Sequence, residues 1–277
     1  LIRRNLITGD PILFAPERAK RPHAFGRDDD GGEDCPFCPG NEHLTPPTLF
    51  AAGEPWRIRV FANKYSAAEG HEVIVESPRH DATLADADAA ELARVWAERY
   101  RLHARSAAYV SLFKNEGARG GASIDHLHSQ LLPLPFVPPR VERETSSFAR
   151  AGKCPLCPAI SSGIVVLENE HFVSIAPAAS AHAYEQWIIP RRHQNEMASF
   201  GADELAAFGA IAQQAARAAR AIAPAGNIIF MNFPRQPKAH CYVEIFPRMT
   251  SIAGFELGTG TFIDIIDPAT AARRLMT

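Results

Sequence analysis

In the stretch "GGASIDHLHSQLLPLP" (residues 120–135), His126, His128 and Gln130 occupy every second position. Successive side chains of an extended strand point to opposite faces, so these three are expected to share one face and Leu127 and Ser129 the other. The chemistry that such a row offers is attack on phosphorus. Near pH 7 much of a histidine is neutral, and one ring nitrogen then carries a lone pair while the other must be held as N–H. A phosphate leaving group departs as a stable anion, so no carboxylic acid partner is required. Directly upstream, "NEGARGGAS" supplies Gly117, Gly120, Gly121 and Ser123. Such a loop lets backbone N–H groups and a hydroxyl approach phosphate oxygens, although a plain turn has the same composition. What favours the phosphate reading is the histidine that follows. Gln130 is expected to donate its amide to a non-bridging oxygen.

Four of the five cysteines form two C-x-x-C pairs, Cys35 with Cys38 in "CPFC" and Cys154 with Cys157 in "CPLC", leaving Cys241 alone. His80 and His126 join the first pair; His193 and His240 join the second. The histidines are 46 residues apart in one set and 47 in the other. An incidental or redox C-x-x-C has no reason to repeat with both histidines, whereas two thiolates and two imidazoles make a closed tetrahedral set for zinc. With no position left for water, each site is expected to be structural and to tie an N-terminal loop to a distant strand. His23, His43, His71, His103, His171 and His182 read as surface or local hydrogen-bonding groups.

These elements recur. "HEVIVESPRH" and "YEQWIIPRRH" place Glu72 and His80 each 113 residues before Glu185 and His193, and "HLHSQLLP" matches "HCYVEIFP" at a shift of 114. Landmarks in one order at nearly one offset indicate two copies of a unit of about 115 residues. We divide the chain into an N-terminal unit, residues 1–145, and a C-terminal unit, residues 146–277. In this alignment Tyr242 stands opposite His128 and Glu244 opposite Gln130, so the metal frame is kept twice and the reactive position once.

The elements that must position these groups follow from periodicity. "RIRVFANKY", "EVIVES", "AYVSLF" and "HLHSQLL" read as strands. "DADAAELARVWAERYRLHARSAA" reads as a helix after an Asp cap, with Leu92, Val95, Trp96 and Leu102 on its apolar face. The second half repeats the order with "WIIP", "ADELAAFGAIAQQAARAARAIA", "NIIFMN" and "HCYVEIF". The expected fold class is α+β, a mostly antiparallel sheet with one long helix per duplicated unit.

Composition limits the remaining classes. The 277 residues are 46% hydrophobic and 22% charged, as in a globular protein. A net charge of −2 and a pI near 6.6 lack the basic field that nucleic-acid binding requires. No apolar run approaches a membrane span, and "LIRRNLITGD" lacks the apolar core of a signal peptide. We therefore expect no membrane partner and a cytoplasmic location, where five cysteines form no disulfide framework.

Taken together, "LITGDPILFAPERAKRP", "CPFCPGNE", "RVFANKY", "HEVIVESPRH", "FKNEGARGGASIDHLHSQ" and "GFELGTG" resemble the galactose-1-phosphate uridylyltransferase family, a branch of the histidine-triad superfamily. The resemblance covers almost the whole chain and implies duplicated histidine-triad-like units. It implies that His128 is the nucleophile that becomes nucleotidylated and that Gln130 and Ser123 contact the transferred phosphoryl group. Arg18 and Arg21 would lie near the diphosphate, with Asn63, Asn115 and Gly121 contacting nucleotide or phosphate. Cys35, Cys38, His80 and His126 match the family's zinc ligands. The implied reaction is ping-pong and belongs to galactose metabolism: a nucleotide sugar such as UDP-glucose transfers its nucleotidyl group to His128, and galactose-1-phosphate then takes it. Family members are commonly homodimers. Leu127 replaces the Pro of the best-known type, and "GTGTFID" replaces a Gln-Arg-Asp segment. The second cysteine pair and the "GFELGTG" ending look more like the branch containing ADP-glucose phosphorylase, in which inorganic phosphate is the acceptor. The tail from Gly254 onward is expected to pack at the site.

Two other classes compete. Histidine-triad hydrolases carry a third His where this chain has Gln130. A non-catalytic zinc-stabilised binding module would leave His128 and its glycine loop without a purpose.

Overall fold

The computed structural model describes residues 2–4, 8–9, 11–13, 15 and 34–277. Strands β1 (Ile2–Arg4) and β2 (Pro11–Leu13) form a small antiparallel pair. There follow β3 (Thr48–Ala52), β4 (Ile58–Ala62), β5 (Glu72–Val75), helix α1 (Ala89–Ala104), β6 (Tyr109–Glu116) and β7 (His128–Leu134). Helices α2 (Pro139–Arg150) and α3 (Leu156–Ser162) lead into β8 (Ile164–Glu168), β9 (Phe172–Ala176), β10 (Gln186–Pro190), helix α4 (Ala202–Ile222), β11 (Gly226–Met231) and β12 (Tyr242–Pro247). Helices α5 (Gly254–Thr259) and α6 (Pro268–Leu275) close the chain.

Strands β3 to β12 form one ten-stranded sheet in the order β3-β4-β5-β7-β6-β11-β12-β10-β9-β8. Every pairing is antiparallel. Each half runs inward from its edge through the same succession of neighbours, and the halves meet where β6 pairs with β11. The α+β architecture expected from the repeats and periodicities is present, with one long helix in each half.

Period-2 alternation divides the sheet's side chains. Ile58, Val60, Ile74, Leu127 and Leu131 enter a core with Leu92, Trp96, Leu205 and Phe208 of α1 and α4. Their neighbours Phe61, Val73 and Val75 face the other way and pack with Cys35 and Phe37. Asp88 caps α1 by accepting from the Glu91 N–H at 3.0 Å. Helix α4 crosses closely over α1: a Cβ on Gly209 would stand 2.1 Å from the Ala89 carbonyl oxygen.

Two sequence expectations change. Leu102 is 45% exposed, and Tyr100 is buried instead. At ~100° per residue Leu102 lies ~280° round from Leu92, just outside the buried arc that runs from Val95 at ~300° through Trp96 and Tyr100 to Ala93, and in the last turn of the helix. Strand β7 begins at His128, so His126 precedes the strand and turns into the cysteine cluster.

Candidate active site and metal clusters

The site lies on the sheet face opposite α1 and α4, because the alternation that sends Leu127, Ser129 and Leu131 toward the helices sends His128 and Gln130 away from them. Ser129 accepts a hydrogen bond from the Trp96 indole at 2.9 Å, which anchors the helix side of β7. On the other side, a cavity of about 370 Å³ is lined by Pro36, Phe37, Phe61, Val73 and Ile124 and, among polar groups, by Asn63, Ser123, His128 and Gln130. An apolar wall with a few convergent polar groups is the ordinary make-up of a small-molecule site. A second cavity of about 240 Å³ is bordered by Thr83, Asn115, Gly117, Asp125 and Arg220, and His128 borders it too.

His128 is buried, and its Nδ1 lies 2.7 Å from the His126 carbonyl oxygen. A carbonyl can only accept, so Nδ1 carries a hydrogen, and in the neutral ring the lone pair is then on Nε2. The sequence required a carbonyl for this purpose, and the chain supplies it two residues upstream. Phe37 stands edge-on to His128 at 5.2 Å between ring centres. Beneath the strand, Lys114 donates to the His128 carbonyl at 3.1 Å and pairs with Glu76 at 2.7 Å, both side chains fully buried.

The glycine loop is built against the second half of the chain. Gly117 and Gly121 have φ of +66° and +84°, where a side chain is strained. A Cβ on Gly120 would lie 2.5 Å from the Gly226 carbonyl oxygen. Asn227 of β11 donates to Asn115 at 2.9 Å and to the Gly120 carbonyl at 2.8 Å, and Asn115 reaches the Gly121 carbonyl at 3.5 Å. Ser123 is buried at the end of this loop. His128, Gln130, Ser123, Asn63, Asn115 and Gly121 thus converge on one region, while Arg18 and Arg21 lie outside the described residues.

Both Cys/His sets assemble. The ligand atoms of Cys35, Cys38, His80 and His126, and those of Cys154, Cys157, His193 and His240, lie within 4.8 Å of one another in each set. Zinc–sulfur and zinc–nitrogen bonds at a tetrahedral angle give an S···N edge of about 3.6 Å. The Sγ···Nδ1 separations are 3.6, 3.5 and 3.5 Å in the first set and 3.8, 3.3 and 3.7 Å in the second. The outward nitrogens are also held, with His126 Nε2 donating to the Ser77 carbonyl at 2.7 Å, His240 to Pro190 at 2.8 Å and His193 to Pro237 at 3.0 Å. That leaves each Nδ1 facing the thiols, the arrangement a bound metal needs. Burial pushes His126 and His240 down to about 4, so both rings are neutral at pH 7. Both clusters are compatible with zinc.

In the second half, Tyr242 and Glu244 occupy the positions of His128 and Gln130, and α2 covers them. Arg140 forms a two-pronged ion pair with Glu244, and Tyr242 donates to Glu144 at 2.8 Å. Sequence reasoning missed several groups at the site. His71, read there as a local hydrogen-bonding group, is buried beside Gln130. Asn227, Lys114 and Phe37 carried no signal except their neighbours' motifs. The tail does not reach the cavities of its own chain; Phe255, Leu257, Ile263 and Ile265 are exposed.

A family model described as "Domain of unknown function (DUF4921)" matches residues 62–277. The chain is 30% identical to ADP-glucose phosphorylase of Arabidopsis thaliana, over 98% of this chain and 91% of that protein. It is 25% identical to galactose-1-phosphate uridylyltransferase of Thermotoga maritima, over 99% and 97%. The chain belongs to the galactose-1-phosphate uridylyltransferase family. The shared fold extends over the uridylyltransferase-like chain as a whole: a crystal structure of the Arabidopsis thaliana ADP-glucose phosphorylase with bound ADP-glucose superimposes with a TM-score of 0.82, covering 100% of this chain and 98% of that one. A solved uridylyltransferase gives 0.83 at 25% identity, over 99% and 97%.

Proposed function

We propose that this nucleotidyltransferase passes a nucleotidyl group from a nucleotide sugar to a phosphate-bearing acceptor through His128. The observation that carries this reading is the His126 carbonyl, which fixes the His128 tautomer with the lone pair on Nε2 at the border of both cavities. The nucleoside occupies the apolar cavity against Phe37, Phe61 and Val73, and the rest of the donor extends toward Asn115 and Gly117. His128 Nε2 attacks the α-phosphorus; the bond to the bridging oxygen breaks, and its electron pair leaves on the sugar 1-phosphate. An acceptor phosphate oxygen then attacks the same phosphorus and returns the pair to Nε2. Ser123, Gln130 and the loop at Gly121 act on the non-bridging oxygens, with negative charge met by donors already in place.

Two readings differ in base and acceptor. Adenylyl transfer from ADP-glucose to inorganic phosphate is favoured by the greater identity to the phosphorylase, 30% against 25%. Uridylyl transfer from UDP-glucose to galactose-1-phosphate is the second reading, supported by several named uridylyltransferases among the relatives.

Zinc in both clusters would serve the fold, each ion held by four protein ligands and each tying a C-x-x-C loop to a histidine beside a strand. The units proposed for this duplication are residues 1–145 and 146–277. The exposed apolar tail supports a homodimer in which Phe255, Leu257 and Ile263 are covered by a second copy. Thiol ligands that must stay reduced support a cytoplasmic location; among the described residues no helix is long and apolar enough to cross a membrane.

The test is the intact mass of zinc-loaded protein mixed with ADP-glucose or UDP-glucose and no acceptor. One donor should leave a nucleotidyl adduct, and His128→Gly should abolish it with bound zinc unchanged. An adduct that survives in His128→Gly refutes the assignment.

A further inference from the structure

Two backbone N–H groups determine the orientation of the His71 and Asn63 side chains beside Gln130. The Ala67 N–H donates to His71 Nδ1 at 3.1 Å, so the hydrogen of that imidazole must be on Nε2. The Tyr65 N–H donates to Asn63 Oδ1 at 2.9 Å, which turns the Asn63 amide nitrogen away from the loop. Both donors then point at Gln130 Oε1, at 3.1 Å from His71 Nε2 and 3.4 Å from Asn63 Nδ2; Asn63 Nδ2 also lies 3.3 Å from His71 Nε2, which, already carrying the hydrogen, cannot accept from it. With its oxygen so held, Gln130 presents its amide N–H groups on the opposite side, toward the cavity that it lines with His128. Exchanging oxygen and nitrogen would set two donors against the Gln130 NH₂ in a buried place, which is disfavoured. His71 is 3% exposed and sits at the end of a loop that the Asn63 N–H closes by donating to the His71 carbonyl at 2.8 Å.

We propose that His71 is a positioning residue for nucleotidyl transfer: through the Ala67 N–H, its ring sets Gln130 to offer a donor, rather than an acceptor, to the phosphoryl oxygen. The proposal rests on the role given to Gln130 above. An amide oxygen in that place would repel the charge that builds on the non-bridging oxygens, whereas the N–H groups stabilise it. The sequence shows only a His before a strand; the loop that folds Ala67 back onto it is what selects the tautomer.

Two substitutions separate the halves of the relay. His71→Asn keeps a polar partner for the Ala67 N–H and loses the donor to Gln130. His71→Gln keeps a donor where Nε2 stood and loses the partner of Ala67. Zinc-loaded full-length protein is mixed, without acceptor, with whichever of ADP-glucose and UDP-glucose labels the unsubstituted chain, and the rate of adduct formation is followed by quenched intact mass. His71→Asn should slow the reaction on the order of tenfold, the scale of losing a residue that orients a reacting-site group. His71→Gln should stay within about threefold of the unsubstituted rate. In a Gln130→Ala background His71→Asn should cause no further loss, since the amide it orients is gone. A slower Gln variant than Asn variant, or losses at His71 and Gln130 that multiply independently, overturns the proposal. No adduct on the unsubstituted chain from either donor overturns the nucleotidyl-histidine reading and this proposal with it.

Discussion

The buried pair beneath His128 makes a quantitative prediction. Lys114 and Glu76 have side chains 1% and 0% exposed with Nζ and Oε2 2.7 Å apart. Glu76 Oε1 has no hydrogen-bond partner among the described residues, so the carboxylate depends on Lys114 for its neutralisation. Lys114→Met leaves that charge buried and uncompensated, a cost of about 3–5 kcal/mol. Glu76→Leu strands the ammonium instead; Glu116 at 3.8 Å and the His128 carbonyl soften the loss, so the cost falls at the lower end of that range. Removing both charges in Lys114→Met/Glu76→Leu puts an apolar contact of similar volume in their place and gives up the bond to the His128 carbonyl and the longer contact with Glu116. The double variant should then lie within about 1–2 kcal/mol of the unsubstituted protein. For a chain of this size each kcal/mol moves the melting temperature by roughly 2–4 °C. Lys114→Met should therefore melt about 10 °C lower than the unsubstituted protein, and the double variant only a few degrees lower. The assay is thermal unfolding of the four zinc-loaded proteins at pH 7. If the double variant is as unstable as the sum of the singles, Lys114 and Glu76 are not acting as a pair and the reasoning fails.

Three further outcomes follow from the same geometry. Chelation should remove metal in two phases, the second cluster first, because Cys157 and His193 are exposed whereas Cys35 and His126 are buried; Cys157→Ser should eliminate the fast phase, and a single phase of full amplitude in both proteins would contradict this. Gly120→Ala should slow adduct formation at least tenfold, as ~1 Å displacements of positioning groups do, since its Cβ would stand 2.5 Å from the Gly226 carbonyl oxygen and must push the loop off β11. An unchanged rate would show that the loop does not position the phosphoryl group. Burial alone would raise the Glu72 carboxyl, but hydrogen bonds from His103 and Arg99 outweigh it and hold Glu72 below its ordinary value of 4.5. A depressed folded value stabilises above 4.5 and is lost as pH falls through the lower folded value, so Glu72→Gln should flatten the acid limb of a stability curve measured by urea unfolding from pH 7 to about pH 3. An acid limb as steep as that of the unsubstituted protein would rule the carboxylate out as its source.

Much of the site could be read without coordinates. Cysteine and histidine types at matched separations named both Cys/His clusters, and the single occurrence of His128 against Tyr242 set it apart as the proposed nucleophile. Helical and strand periodicity placed α1, α4 and the strands bearing these groups, because each depends on which residues follow one another. The limits of the periodic reading were also local: the apolar arc of α1 excludes Leu102, and the three-membered row loses His126 because β7 starts two residues later.

What the sequence determined by itself was therefore the inventory of groups: a histidine outside the duplicated frame, a glycine-rich loop before it and two sets of two cysteines and two histidines, each legible from residue type and spacing. Tertiary structure alone decided how those groups are aimed. The His128 tautomer depends on a carbonyl brought round by the turn into β7, and the glycine loop depends on β6 pairing with β11, which places Asn227 against residues more than a hundred positions earlier. Strand pairing is set by hydrogen bonds and burial between distant segments, and no local pattern in either segment specifies its partner.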